Sequence, residues 1–269
     1  MIEEPRTYAV TGVSSGIGAA LAKHLSAQGH SVVGFDRVPP SVSVDHFIEL
    51  DLGDGQALLA AADATPAPLD GMCHNAGVPP RAGMEAAILQ INFTGTRAFA
   101  QAMMPHLKSG ASVVNMASRA GHGWRENLEQ VKALAALTRF EDIVNFVRDQ
   151  SIDATRAYNL SKEAVIVWTM AMTEPLLAKG IRVNSLSPGG VSTGILDDFK
   201  RAFGDKMAKN VERAGRPGTA EEIAAIAAFV LSDESHWLKG TDIAIDGGMG
   251  AFNASDVLGL DAMLLDKDA

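Results

Sequence analysis

A short apolar run, Thr7-Tyr8-Ala9-Val10, leads into Thr11-Gly12-Val13-Ser14-Ser15-Gly16-Ile17-Gly18 and then an amphipathic stretch from Ala19 to Leu25. Strand, glycine-rich turn and helix in direct succession confine the start of the chain to a βα unit whose backbone can meet a phosphate. The first helical N–H groups and the helix dipole, at Ile17 and Gly18, suit a pyrophosphate. Gly12 permits the tight turn, Gly16 the close approach of the phosphates and Gly18 close packing of helix on strand. The next strand, Ser31-Val32-Val33-Gly34-Phe35, ends at Asp36. A carboxylate there binds a ribose 2′-hydroxyl and repels a 2′-phosphate. Arg37 could accept that phosphate, but Asp36 in the ribose position and the uncharged Ser14 and Ser15 favour NAD over NADP.

A second constellation lies past the middle of the chain. Tyr158 and Lys162 stand four apart at the head of the apolar run from Ala164 to Trp168. Residues i and i+4 share a helix face. An ammonium beside a phenol lowers its pKa from near ~10, so the pair is equipped to exchange a proton near neutral pH. Further apolar strands near 47–51, 71–75, 111–117, 182–187 and 241–246 alternate with helical stretches. That alternation predicts one α/β domain over 1–269, a doubly wound parallel sheet of Rossmann type covered on both faces. Thr219-x-x-Glu222 reads as a capping box for a late helix facing the core through Ile223, Ile226 and Ala227.

With these pieces in order, the chain resembles the short-chain dehydrogenase/reductase family along nearly its whole length. The glycine motif matches at Gly12, Gly16 and Gly18. Asp51 and Leu52 match the family's adenine contact, and Asn75-Ala76-Gly77 its motif after the fourth strand, with His74 replacing an Asn. The resemblance implies that Asn92, Ser118, Tyr158 and Lys162 form a catalytic tetrad. It also implies that Pro188, Gly189, Val191 and Thr193 form the loop under a nicotinamide, and that Ile245-Asp246-Gly247-Gly248 is the last strand. Lys162 would also bind the nicotinamide ribose, and Asn92 would hold a relay water. Cys73 reads as a packing residue, and His74 as a hydrogen-bond partner of a neighbouring loop.

Ser118 and Tyr158 are 40 residues apart, several times the usual family gap. Leu128, Val131, Leu134 and Ala135, then Phe140, Ile143, Val144 and Val147, follow helical spacing. Thr138-x-x-Glu141 is a capping-box pattern between them. A helical hairpin inserted over about 119–157 is expected, either shaping the pocket or the subunit interface. The insert resembles that of the subgroup holding bacterial 3α-hydroxysteroid dehydrogenase/carbonyl reductase and coniferyl-alcohol dehydrogenase. Trp124 either walls a ring-binding pocket or anchors the insert; Phe199, Phe203 and Met207 fall where a substrate lid would be. The tail, about 251–269 with Leu258, Leu260, Met263 and Leu264, either packs on a partner subunit or frays.

By this resemblance the activity is NAD-dependent interconversion of a secondary, aromatic or cyclic alcohol and its carbonyl compound, in a homodimer or homotetramer. Two alternatives stay open: a non-catalytic NAD-sensing protein, and an NADPH-dependent acyl ketoreductase, which Asp36 and the net charge of −9 oppose. That charge also argues against nucleic acid and anionic membranes as partners. The seven histidines show no metal-ligand spacing, and no run reaches the ~18 apolar residues of a membrane span. The acidic start Met1-Ile2-Glu3-Glu4-Pro5 reads as no signal peptide. With one cysteine, that reading fits a reducing cytoplasm.

Overall fold

The computed structural model describes residues 4–194 and 196–263, those at 196, 197, 200 and 205–207 by backbone alone. Met1–Glu3, Ile195, the Met207 side chain and Leu264 lie outside the described residues. The first half of the chain runs β1 (Thr7–Thr11), α1 (Gly16–Ala27), β2 (Ser31–Asp36), β3 (His46–Glu49), α2 (Gly55–Asp63), β4 (Leu69–His74) and α3 (Glu85–Leu89). A π-turn (Gln90–Gly95), α4 (Thr96–Met103) and β5 (Leu107–Met116) follow. The insert comprises a 3₁₀ turn (Arg119–Arg125), α5 (Leu128–Ala135) and α6 (Phe140–Asp149), and leads into α7 (Ala154–Leu177). The chain closes with β6 (Arg182–Pro188), β7 (Val191–Ser192), α8 (Leu196–Arg213), β8 (Gly218–Thr219), α9 (Ala220–Leu231), β9 (Asp242–Ile245) and α10 (Met249–Leu258).

Among the described residues the main sheet has seven parallel strands in the order β3-β2-β1-β4-β5-β6-β9. Its central strands are buried on both faces, which is why they read as apolar runs without alternation. One face packs on α1 and α9 through Leu21, Leu25, Ile223 and Ala227. Fully burying Leu21 or Leu25 contributes roughly 1.5–3 kcal/mol each. The other face carries Leu58 of α2, Phe99 and Met103 of α4, and α7 with the insert. The capping box at Thr219 forms as expected, Thr219 Oγ1 accepting from Glu222 N–H and Glu222 Oε2 from Thr219 N–H.

The inserted hairpin is present and buries Val131, Leu134 and Ile143 in one cluster with Tyr158 and Leu160. It is thus part of the core rather than an ornament. Its second helix begins differently from expectation. Arg139, not Thr138, is the cap of α6, and it makes no side-chain capping bond. Glu141 and Asp142 lie instead within 3.7 and 4.0 Å of the Arg139 guanidinium. The insert also ends sooner than 157. Asp153 caps α7 by accepting from Arg156 N–H at 2.7 Å, so Tyr158 sits one turn inside its helix.

Candidate active site

After β1 the chain turns to β2 on one side, while β4 lies on the other. A crevice opens at the carboxyl ends where the winding reverses, the place where such sheets bind ligands. Here it is a cavity of about 1490 Å³. At one end lies the glycine turn. Gly12 (φ 78°) and Gly16 (φ 54°) adopt left-handed backbone that only glycine takes at little cost. A Cβ on Gly18 would stand 2.1 Å from the Gly12 carbonyl oxygen and 2.6 Å from Asn75 Nδ2. Gly18 is therefore a packing residue behind the cavity wall, while Gly12, Ser14, Ser15, Gly16 and Ile17 line it. Ser15, the cap of α1, makes no side-chain bond to the helix. The first amides of α1 are left facing the crevice, as an anion requires.

Neighbouring groups hold this turn. Thr11 Oγ1 accepts from the N–H groups of Asn75 and Ala76, both at 2.9 Å. Asn75 Nδ2 donates to Thr11 O at 3.1 Å, so its amide fastens the turn. Asp36 ends β2 on the cavity wall beside Arg37. Its Oδ2 accepts from Ser14 N–H at 3.0 Å and Ser14 Oγ at 2.7 Å, and its Oδ1 from Arg37 N–H at 2.7 Å. Asp51, Leu52, Ala76 and Gly77 complete this side. Pro188, Gly189, Val191 and Thr193 close the far side, where the Thr193 methyl would lie 3.5 Å from a Cβ on Gly16. The open amides, the side-chain-free glycines and the oriented carboxylate fit a nicotinamide dinucleotide.

At the other end stand Ser118, Tyr158 and Lys162. Ser118 follows β5, its Oγ accepting from Ala120 N–H at 3.2 Å. Lys162 Nζ lies 5.8 Å from the centroid of the Tyr158 ring and donates to Met116 O at 2.8 Å. The expected fall in the phenol's pKa is not found. Burial pushes Tyr158 up to about 12, and neighbouring Ser118 offsets part of that. Burial likewise brings Lys162 down to about 8. Removing each group from water disfavours its charged form. Asn92 is one layer behind, 2% exposed in the π-turn. Its Oδ1 accepts from Val78 N–H at 2.7 Å and its Nδ2 donates to Val78 O at 3.0 Å. The amide read as a water holder thus ties the loop after β4 to this site. Gly95 permits the π-turn to back onto β3's outgoing loop, for a Cβ there would lie 2.0 Å from Leu52 O.

The segment where a lid is expected lies directly on the phenol. Phe199 and Phe203, on the first part of α8 before its break at Gly204, meet the Tyr158 ring edge-on at 5.1 and 6.4 Å. Asp198, 6% exposed, fastens that helix to Arg81 at 2.7 Å and also pairs with Arg201. Trp124 packs against the insert's core, with Arg125 stacked at 4.2 Å, and is not on the cavity wall. The first part of the tail forms α10 and packs on its own chain. α10 is tied to α8 by Arg213–Asp256 at 2.5 Å and brings Met249, Asn253 and Val257 to the cavity. His122, Asn159 and these α10 residues were missed in the sequence, because nothing local marks a side chain that another segment will cover.

His74 does not bond a loop. Its ring lies edge-on to Phe99 and Trp168 at 6.5 and 6.4 Å. Its Nε2 has no hydrogen-bond partner among the described residues. Burial lowers its pKa from 6.5 to about 4. The unfolded chain therefore binds the extra proton first as pH falls. Stability contributed by neutral His74 is fully present above pH 6.5 and is lost on descent to about pH 4, amounting to about 3 kcal/mol. We expect His74→Asn to flatten this acid limb in denaturant titrations at pH 7 and pH 4.5. An unchanged difference between those two pH values would show that another group governs it. Cys73, beside it in β4, is fully buried, and burial pushes its thiol up to about 12.

The parallel sheet, the glycine turn at its switch point and the Ser–Tyr–Lys group define a dinucleotide-dependent oxidoreductase, and the chain belongs to the short-chain dehydrogenase/reductase family. A family model described as short chain dehydrogenase matches residues 6–129. One described as enoyl-(acyl carrier protein) reductase matches residues 142–250. Coniferyl-alcohol dehydrogenase of Pseudomonas sp. (strain HR199) is 33% identical over 244 residues, covering 90% of this chain and 95% of its own. The 3-alpha-hydroxysteroid dehydrogenase/carbonyl reductase of Comamonas testosteroni is 29% identical over 249 residues, with the same coverage, 90% and 95%. Among solved structures, 3-alpha-hydroxysteroid dehydrogenase from Pseudomonas sp. B-0831 complexed with NADH superposes with a TM-score of 0.78 at 28% identity. That match covers 92% of this chain and 98% of that one. Among the described residues no helix is long and apolar enough to cross a membrane, and no cluster of His, Cys, Asp and Glu is fit to hold a metal.

Proposed function

We propose that this chain is an NAD(H)-dependent oxidoreductase interconverting a secondary, aromatic or cyclic alcohol and its carbonyl compound. The observation that carries this reading is one crevice with open helix amides and Asp36 at one end and Ser118, Tyr158 and Lys162 at the other. The dinucleotide supplies the hydride chemistry when bound. The turn from Gly12 to Ile17 would hold its pyrophosphate, Asp36 its adenosine ribose, and the loop from Pro188 to Thr193 its nicotinamide end. Tyr158 Oη, as the phenolate, would take the substrate's hydroxyl proton in oxidation and, as the phenol, return it in reduction. Ser118 Oγ hydrogen-bonds the substrate oxygen and steadies its developing charge. Lys162, protonated below about pH 8, favours the phenolate whenever its ammonium faces the ring. Phe199, Phe203 and Val257 supply an apolar, ring-bearing wall that supports a cyclic or aryl substrate.

The test is NADH formation from a library of cyclic and aryl alcohols. Tight NAD binding with no turnover across that library would favour the sensing protein instead. The enoyl-reductase description of residues 142–250 keeps the acyl reading in view, and a clear NADPH preference would support it. Asp36→Ala removes the charge opposing a 2′-phosphate, so its NADP-to-NAD ratio of kcat/KM should rise by about tenfold or more. An unchanged ratio would remove Asp36 from the ribose role. A lone buried Cys73 supports a cytoplasmic setting, and the family likeness supports a homodimer or homotetramer; sedimentation equilibrium distinguishes the two.

A further inference from the structure

The reacting groups come from two segments that the insert separates. Ser118 follows β5, whereas Tyr158 and Lys162 ride on α7. A detour of 40 residues leaves their register to be set by packing. The 3₁₀ turn that begins right after Ser118 lies against α7. Midway along it, a Cβ on Gly121 would stand 2.8 Å from the Lys162 carbonyl oxygen and 2.9 Å from Ile166 Cδ1, so the turn sits on the helix backbone itself. At its start, Arg119 Nε pairs with Asp246 at 2.9 Å. Asp246 is fixed in turn by the N–H groups of Gly248 and Gly250, at 3.0 and 2.8 Å.

At its far end the link runs through Asn127. Its Nδ2 donates to Gly123 O at 3.0 Å and to Glu163 Oε1 at 2.9 Å. Glu163 follows Lys162 directly and is 2% exposed. Arg156 grips both its oxygens, at 2.9 and 2.7 Å, and donates from Nε to Gln130 Oε1 of α5 at 2.9 Å. Asn127 occupies the cap position of α5, where an Asn side chain ordinarily bonds the first helical amides. It makes no such bond; its amide is spent on the link to α7.

We propose that Asn127 and Glu163 are positioning residues that pin the 3₁₀ turn to α7 and so set the register of Ser118 against Tyr158. Neither lies on the cavity wall, so both act through Ser118 and Lys162. The proposal rests on reading Ser118, Tyr158 and Lys162 as the reacting groups.

The test compares kcat, KM and the pH profile of kcat/KM for wild type, Asn127→Ala and Glu163→Gln, with NAD and an alcohol the wild type oxidises. In Asn127→Ala, kcat should fall by about 10- to 100-fold, as displacement by roughly an ångström produces, with KM nearly unchanged. The rising limb of the profile should move to higher pH, because Ser118, which draws the phenol's pKa down, is displaced from it. Glu163→Gln keeps an oxygen for Asn127 and should leave that limb in place. In Asn127→Ala a loss equal at every pH, or an unmoved limb with kcat retained, overturns the proposal, as does a limb moved in Glu163→Gln. Asn127→Ser, too short to span both acceptors, takes the place of an Asn127→Ala protein that does not fold. Should the wild type oxidise no alcohol, the reading of the site fails on its own account, and the register is judged by tyrosinate titration. Tyr8 and Tyr158 are the chain's two tyrosines, and the ultraviolet signal lost in Tyr158→Phe belongs to Tyr158. An Asn127→Ala titration of that phenol that matches wild type also overturns the proposal.

Discussion

Tyr158→Phe is expected to lower kcat for alcohol oxidation by about 10²–10⁴-fold, the range for losing a positioned acid–base group, with NADH affinity nearly unchanged. The substitution deletes one oxygen and keeps the ring. Phe199 and Phe203 contact that ring, at 5.1 and 6.4 Å, so the wall of the cavity stays built. Ser118 remains to bind the substrate oxygen, but no group replaces the phenol as proton acceptor. Steady-state NADH formation reads the loss, and calorimetric titration with NADH shows that the crevice is intact. Turnover equal to wild type would remove Tyr158 from the chemistry.

Gly18→Ala should be the most damaging single methyl in the glycine turn. The added carbon would lie 2.1 Å from the Gly12 carbonyl and 2.6 Å from Asn75 Nδ2. Neither can yield freely, because Gly12 N–H is bonded to Phe35 O at 2.7 Å and Asn75 is held at Thr11. Overpacking of this kind costs about 1–3 kcal/mol or more, and relief requires the α1 N-terminus to pull away from the turn. The thermal midpoint should therefore drop together with NADH affinity. Gly55→Ala is the control: it adds the same methyl at the start of α2 with nothing within 4 Å. Equal behaviour of the two variants would refute the packing role of Gly18.

Features decided within one segment were legible before the structure. The βα turn at Gly12–Gly18, the capping box at Thr219 and the helical spacing of Val131, Leu134 and Ile143 each depend on neighbours a few residues away. Features decided by two distant segments were not. The π-turn at Asn92 depends on Gly95 meeting the carbonyl of Leu52. The Tyr158–Lys162 spacing revealed the attraction between the two groups but not their burial, which reverses the sign of the phenol's shift. α10 reaches the cavity because Asp256 meets Arg213 of α8, a pairing across 43 residues that no periodicity records. Thr138-x-x-Glu141 matched a capping pattern, yet α6 starts one residue later, with both of its first acids beside Arg139.

The aromatic rings on α8 bear on how the crevice is entered. Asp198 is buried, and its partners Arg81 and Arg201 are mostly in water. Withdrawing Phe199 from the phenol would give up an edge contact of the kind worth about 0.5–1.5 kcal/mol beyond its area. An incoming planar ring could take up the vacated contact, and the exchange would be nearly even. A small aliphatic alcohol would leave the phenol's face bare and the withdrawal uncompensated. The doorway itself, before any recognition deeper in the cavity, would then admit rings more readily than chains.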